Sequence, residues 1–166
     1  MTLAEWQRRL TDTMFQWARP VSSNGHPQSK AVILLVDDER ELIQMVAYRL
    51  LANGYEVLAA ASGPDALEQL KSQRVHLILL DLMMPVMDGY EVYHLLKENP
   101  DTKEVPVIIV TAKGERKDRQ LGMDGTPYNY VSKPFQLEDL LAKVRDVLQQ
   151  QSSMKAQAAD AENPGG

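Results

Sequence analysis

The chain has 166 residues, 44% of them hydrophobic and 25% charged, with a net charge of −5 at pH 7. This length favours one domain with appendages, the balance is that of an ordinary globular core, and the acidic excess supplies no basic field for nucleic acid. No cysteine is present, which excludes disulfides, thiol catalysis and thiolate metal sites.

Residues 1–20 come first. Leu3, Trp6, Leu10, Met14 and Trp17 recur at steps of three or four, the spacing of an amphipathic helix. The stripe stops at Arg19-Pro20. Early charges at Glu5, Arg8, Arg9 and Asp12 argue against a secretory signal. The stretch VSSNGHPQS that follows reads as a linker, so residues 21–30 separate this helix from the rest. The longest purely apolar run, Ala31–Val36, is far too short to cross a membrane. Cytoplasm is the default location, with neither membrane nor nucleic acid expected as a partner.

From 31 to 150, short apolar runs alternate with amphipathic segments. The runs are Val32–Val36, Glu56–Ala60, Leu77–Leu80, Val107–Val110 and Tyr128–Val131. Between them, Leu42, Val46 and Leu50 (with Met45 and Leu51 beside them) mark one helical face. Ala66, Leu67 and Leu70 mark a second, and Leu137, Leu140, Leu141, Val144 and Leu148 a last. Ser62 and Asp65 have the spacing of a capping box. Five strand–helix units with near-continuous apolar strands predict an α/β fold, a parallel sheet covered on both faces. Residues 151–166, rich in Ala, Gln and Ser and ending NPGG, are expected to form a frayed, flexible tail.

The strand ends carry the chemistry. In an open α/β sheet, ligands bind beyond the carboxyl ends of the strands. Asp37 and Asp38 follow the first run, Asp81 the third, Thr111 the fourth and Lys133 the fifth. Three converging carboxylates repel one another, and a hard dication such as Mg²⁺, which takes carboxylates, waters and phosphate oxygens, relieves them. Lys133 adds a point charge for a phosphoryl oxygen, and Thr111 a hydroxyl donor. Asp81 then suits the role of a carboxylate nucleophile that forms an aspartyl phosphate.

With VDDE at 36–39, DLMMPVMDG at 81–89, TA at 111–112 and KPF at 133–135, the chain resembles the receiver domain of two-component response regulators, including single-domain chemotaxis regulators. Pro85 and Gly89 fit the family loop after the phosphoacceptor, and the separations from Asp81 to Thr111 and on to Lys133 are family-like. The resemblance covers about 31–150. It implies a flavodoxin-like, doubly wound five-stranded parallel sheet of order 2-1-3-4-5, here with an extra N-terminal helix. It also implies phosphoryl transfer onto Asp81 from a sensor histidine kinase or a histidine phosphotransfer protein. Mg²⁺ would be held by Asp38 and Asp81, by Asp37 through water, and by the main-chain carbonyl of Met83. Thr111, Ala112 and Lys133 would contact the phosphoryl group, Thr111 and Tyr130 would act as the switch pair, and Pro134 would follow a cis peptide bond. The expected function is a bacterial single-domain switch, a signalling phosphoprotein rather than an enzyme. It would act on an unknown downstream protein, along a phosphorelay, or as a homodimer.

Competing readings fare worse. The chain has no phosphate-binding G-x-x-x-x-G-K-[ST] loop. Haloacid-dehalogenase-type phosphatases need an aspartate two residues after the nucleophile, where Met83 stands. A flavodoxin needs a Ser/Thr/Gly phosphate loop where this chain has DDER. His26, His76 and His94 lack metal-ligand spacing. The segment Gly114–Gly125 has few large apolar residues and three glycines, which predicts a short, irregular helix. A constitutive adaptor with a vestigial site is opposed by the intact set of acids and Lys133.

Overall fold

A computed structural model describes residues 31–112 and 129–162, together with Glu5. The predicted N-terminal helix, the linker and the expected irregular helix at 114–125 lie outside the described residues.

Five strands form one parallel sheet of order β2-β1-β3-β4-β5. They are β1 (Val32–Val36), β2 (Glu56–Ala60), β3 (Leu77–Leu80), β4 (Val107–Thr111) and β5 (Tyr130–Ser132). β1 lies between β2 and β3, with Leu34 paired to Leu58 on one side and to Ile78 on the other. Alternate strand residues point to opposite faces, and both faces are apolar. Ile33, Leu35, Leu77, Leu79, Ile108 and Val110 enter one core. Leu34, Val36, Ile78, Leu80, Val107 and Ile109 enter the other. This is why the strands read as unbroken hydrophobic runs.

The helices divide between those faces. α1 (Arg40–Ala52) and α4 (Leu137–Glu162) cover the first with Ile43, Val46, Ala47, Leu50, Leu140, Leu141, Val144 and Val147. α2 (Gly63–Leu70) and α3 (Gly89–Glu98) cover the second with Ala66, Val92 and Leu96. The N-cap Ser62 accepts the Asp65 amide at 3.3 Å, and Asp88 caps α3 by accepting the Glu91 amide at 3.0 Å. No helix among the described residues is long and apolar enough to cross a membrane.

Three expectations need correction. The inward face of α1 is Ile43, Val46, Ala47 and Leu50, whereas Met45 is exposed. Several apolar residues crowd this helix, and only the sheet decides which of them point inward. β5 begins at Tyr130 rather than 128, because its pairing with β4 starts at Ile109↔Tyr130. The tail expected to fray from 151 is helical to Glu162. Ala, Gln, Met and Lys favour helix, and no Gly or Pro interrupts until Pro164. Ser152 and Ser153 donate to the carbonyls of Leu148 and Gln149 at 2.9 and 3.0 Å, and Gln151 donates to the Glu104 carbonyl at 3.3 Å.

Candidate functional site

The sheet delivers polar residues to one rim by carrying its hydrogen bonding one residue past the apolar runs. The Asp37 amide donates to the Ala60 carbonyl at 3.2 Å, the Asp81 amide to Val36 at 2.9 Å, and the Lys133 amide to Thr111 at 2.9 Å. Asp37, Asp81 and Thr111 are buried there, with residue exposures of 1%, 4% and 0%. The Lys133–Pro134 peptide bond, just past β5, is cis.

The Lys133 ammonium stands among three carboxylates: 2.7 Å from Asp37 Oδ2, 2.9 Å from Glu39 Oε1 and 3.1 Å from Asp81 Oδ2. The two buried acids, Asp37 and Asp81, are also held by backbone amides. Asp37 Oδ1 accepts from Glu39 at 2.8 Å, and Asp81 Oδ1 accepts from Met83 at 2.9 Å. Burial pushes the Asp37 carboxyl above the ordinary aspartate value, more than its hydrogen bonds to Lys133 and the Glu39 amide pull it down. Burial works against the Lys133 ammonium as well, but the Asp37 and Glu39 hydrogen bonds outweigh it and raise that group above the ordinary lysine value.

Asp38 is exposed, yet one of its oxygens belongs to a set with Asp37 and Asp81 whose members all lie within 4.8 Å of one another. With Glu39, four carboxylates are set against the single ammonium of Lys133 in charge, although only Asp37, Glu39 and Asp81 touch it. That surplus of negative charge and hard oxygen donors suits Mg²⁺, which accepts carboxylates both directly and through retained waters.

The loop after β3 is shaped around Asp81. A Cβ on Gly89 would overlap the Asp81 carbonyl oxygen and crowd Leu82 Cα, so only glycine lets α3 start this close to the site. The Gly89 amide donates to the Leu82 carbonyl at 3.0 Å. Val86 is exposed with φ of 71°, and the Met87 amide closes a three-residue turn onto the Pro85 carbonyl at 2.9 Å. A branched residue in this region stores backbone strain.

The structure thus gathers Asp37, Asp38, Asp81 and Lys133 into one cluster. Ala112 is exposed at the end of β4 next to buried Thr111. Tyr130 is half-buried against the core on the α2/α3 face. The role of Glu39 was not legible beforehand. It lay within the VDDE motif, but nothing in the sequence linked it to a lysine 94 positions away.

Known proteins agree with this geometry. A model of the response regulator receiver domain matches residues 33–145. Response regulator MprA of Mycobacterium ulcerans (strain Agy99) is 38% identical over 128 residues, which is 77% of this chain and 54% of MprA. A probable cyclic di-GMP phosphodiesterase of Vibrio cholerae is 41% identical over 125 residues, 75% of this chain and 28% of that protein. The chain therefore spans about half the length, or less, of these curated relatives. The structure of the chemotaxis response regulator CheY4 of Vibrio cholerae superposes with a TM-score of 0.66 at 33% identity, covering 72% of this chain and 99% of CheY4. Receiver domains bind Mg²⁺ at an acidic pocket and interact with histidine kinases or phosphotransfer proteins. In sheet order, in the acids at its strand tips and in sequence over residues 33–145, this chain belongs to the response regulator receiver domains of two-component signalling.

Proposed function

We propose that this protein is a phosphorylation-controlled switch in which Asp81 takes a phosphoryl group from the phosphohistidine of a sensor kinase or phosphotransfer protein. One observation carries the reading: a nearly buried carboxylate, oriented through Oδ1 by the Met83 amide, has Oδ2 3.1 Å from the Lys133 ammonium. In the transfer, the donor's phosphorus–nitrogen bond breaks and its electron pair returns to the imidazole. An Asp81 oxygen forms the new bond to phosphorus. The side chains of Asp37, Asp38 and Asp81, with the Met83 carbonyl, would hold Mg²⁺. When bound, that ion supplies the positive charge that neutralises the transferring group.

The remaining work falls to the chain's own residues. The Met83 amide fixes the orientation of the nucleophile, so little rotational freedom is lost on reaction. Lys133 shifts its hydrogen bonds from carboxylates to a phosphoryl oxygen. Thr111 and the Ala112 amide contact the other oxygens, and Tyr130 moves with Thr111 to alter the surface near β5. Output passes by contact with a downstream protein, or the phosphoryl group moves on along a relay.

Acetyl phosphate with Mg²⁺ tests the assignment directly. Mass spectrometry should find one hydroxylamine-labile phosphate on the wild-type protein, and labelling of Asp81→Asn should fall at least about 100-fold, as expected when a nucleophile is removed. Stable labelling of Asp81→Asn at full stoichiometry overturns the proposal.

A further inference from the structure

We infer that Glu39 is a positioning residue for Lys133, keeping a carboxylate on the ammonium when Asp37 and Asp81 turn their oxygens to a metal ion. The inference rests on the phosphoacceptor reading above and extends it to a residue outside the metal-binding set.

The geometry separates the three acids that hold Lys133. Asp37 and Asp81 belong to the cluster that could bind a cation, and Glu39 does not. Yet all three touch the same ammonium, at 2.7, 3.1 and 2.9 Å. An ammonium and a dication placed beside Asp37 and Asp81 compete for the same negative charge and repel each other. The acids that favour the metal are therefore the ones that Lys133 must partly give up. Asp38 cannot take over, because it belongs to the metal cluster itself.

Glu39 is placed to resolve that conflict. It occupies the N-cap of α1, but its side chain makes no capping hydrogen bond. Its backbone amide is tied to Asp37 Oδ1 at 2.8 Å, which pins the residue beside the site. Its side chain is 62% exposed whereas that of Lys133 is 11% exposed. A long, largely solvated side chain can follow a short movement of the ammonium at little cost, and the buried aspartates cannot. Glu39 thereby lowers the electrostatic opposition to Mg²⁺ without touching the ion.

Amide NMR titrations with MgCl₂ on the full chain test this in four proteins: wild type, Glu39→Gln, Lys133→Met and the double variant. Circular dichroism melts in EDTA establish that each is folded, and Lys133→Gln replaces Lys133→Met should the latter unfold. Glu39→Gln is expected to weaken Mg²⁺ binding about twofold to fivefold, the scale of a largely exposed ion pair. In the Lys133-substituted background that loss should nearly vanish, because the ammonium that Glu39 restrains is gone. An equal loss in both backgrounds would show Glu39 to be a plain surface charge and overturn the inference, as would no loss in either. A wild-type protein whose site amides ignore Mg²⁺ removes the phosphoacceptor reading and this inference together. Wild-type binding without coupling between Glu39 and Lys133 removes the inference alone.

Discussion

Two lysines stand at opposite ends of the sheet, and they are held in opposite ways. Lys133, past the end of β5, is surrounded by carboxylates. Lys97, in the last turn of α3, donates to the backbone carbonyls of Lys103 and Val105 at 2.9 and 3.1 Å, with its ammonium 5.7 Å from the centre of the Tyr93 ring. Burial pulls Lys97 below the ordinary lysine value, and the charge of Glu104 only partly opposes that. Lys133 is shifted the other way, because full negative charges outweigh its burial. Neutral carbonyls make Lys97 a staple for the loop leading into β4. Unbalanced carboxylates make Lys133 half of a polarised site. The identity of the partner, more than burial, decides which a lysine becomes.

The sharpest way to break this contrast is to remove each ammonium in turn. Lys133→Met leaves Asp37 and Asp81 buried and mutually repelling, and urea unfolding in EDTA should show a loss of about 3 kcal/mol. Because its folded value is raised, Lys133 contributes in full below 10.5, and that contribution is lost as pH climbs through the folded value. The deficit of Lys133→Met should accordingly shrink above pH 10.5.

Lys97→Met should cost less, about 1 kcal/mol, because the bonds it breaks are offset by relief from burying a charge. Its pH dependence has the opposite sign. With a folded value below 10.5, the wild type gains stability as pH rises from that value toward 10.5, and the variant cannot. Its deficit should therefore widen across that window. Deficits that move together with pH in the two variants would remove the distinction between them.

The smallest effect comes from a charge at the rim of the crowded end. Asp38→Asn should raise metal-free stability by roughly 0.5 kcal/mol by relieving repulsion at an exposed position. In differential scanning calorimetry, the gain in Tm that Mg²⁺ gives the wild type should largely disappear in this variant. An undiminished gain would place the ion elsewhere.

Much of this molecule is readable without coordinates, for local reasons. Apolar runs such as LILL announce a strand buried on both faces, and the polar residue that ends each run falls on the rim. Asp37, Asp81, Thr111 and Lys133 could therefore be found one strand at a time. Gly89 was visible as a glycine in a familiar loop, but its necessity appears only where α3 meets the Asp81 backbone. Met45 looked as inward as its neighbours, since the pattern of α1 is apolar around much of its circumference. The end of α4 was misjudged because a polar, alanine-rich stretch lacks the periodic stripe that marks a packed helix, although it favours helix locally.

By itself the amino-acid order determined the alternation of strand and helix and the residues at the strand tips, because burial and hydrogen bonding along one segment depend on near neighbours. Only the folded arrangement decided how those tips share their charges. The contact between Glu39 and Lys133 and the gathering of three acids around one ammonium join residues that follow separate strands. Coulombic interactions depend on distance in space, and that distance is set by the sheet.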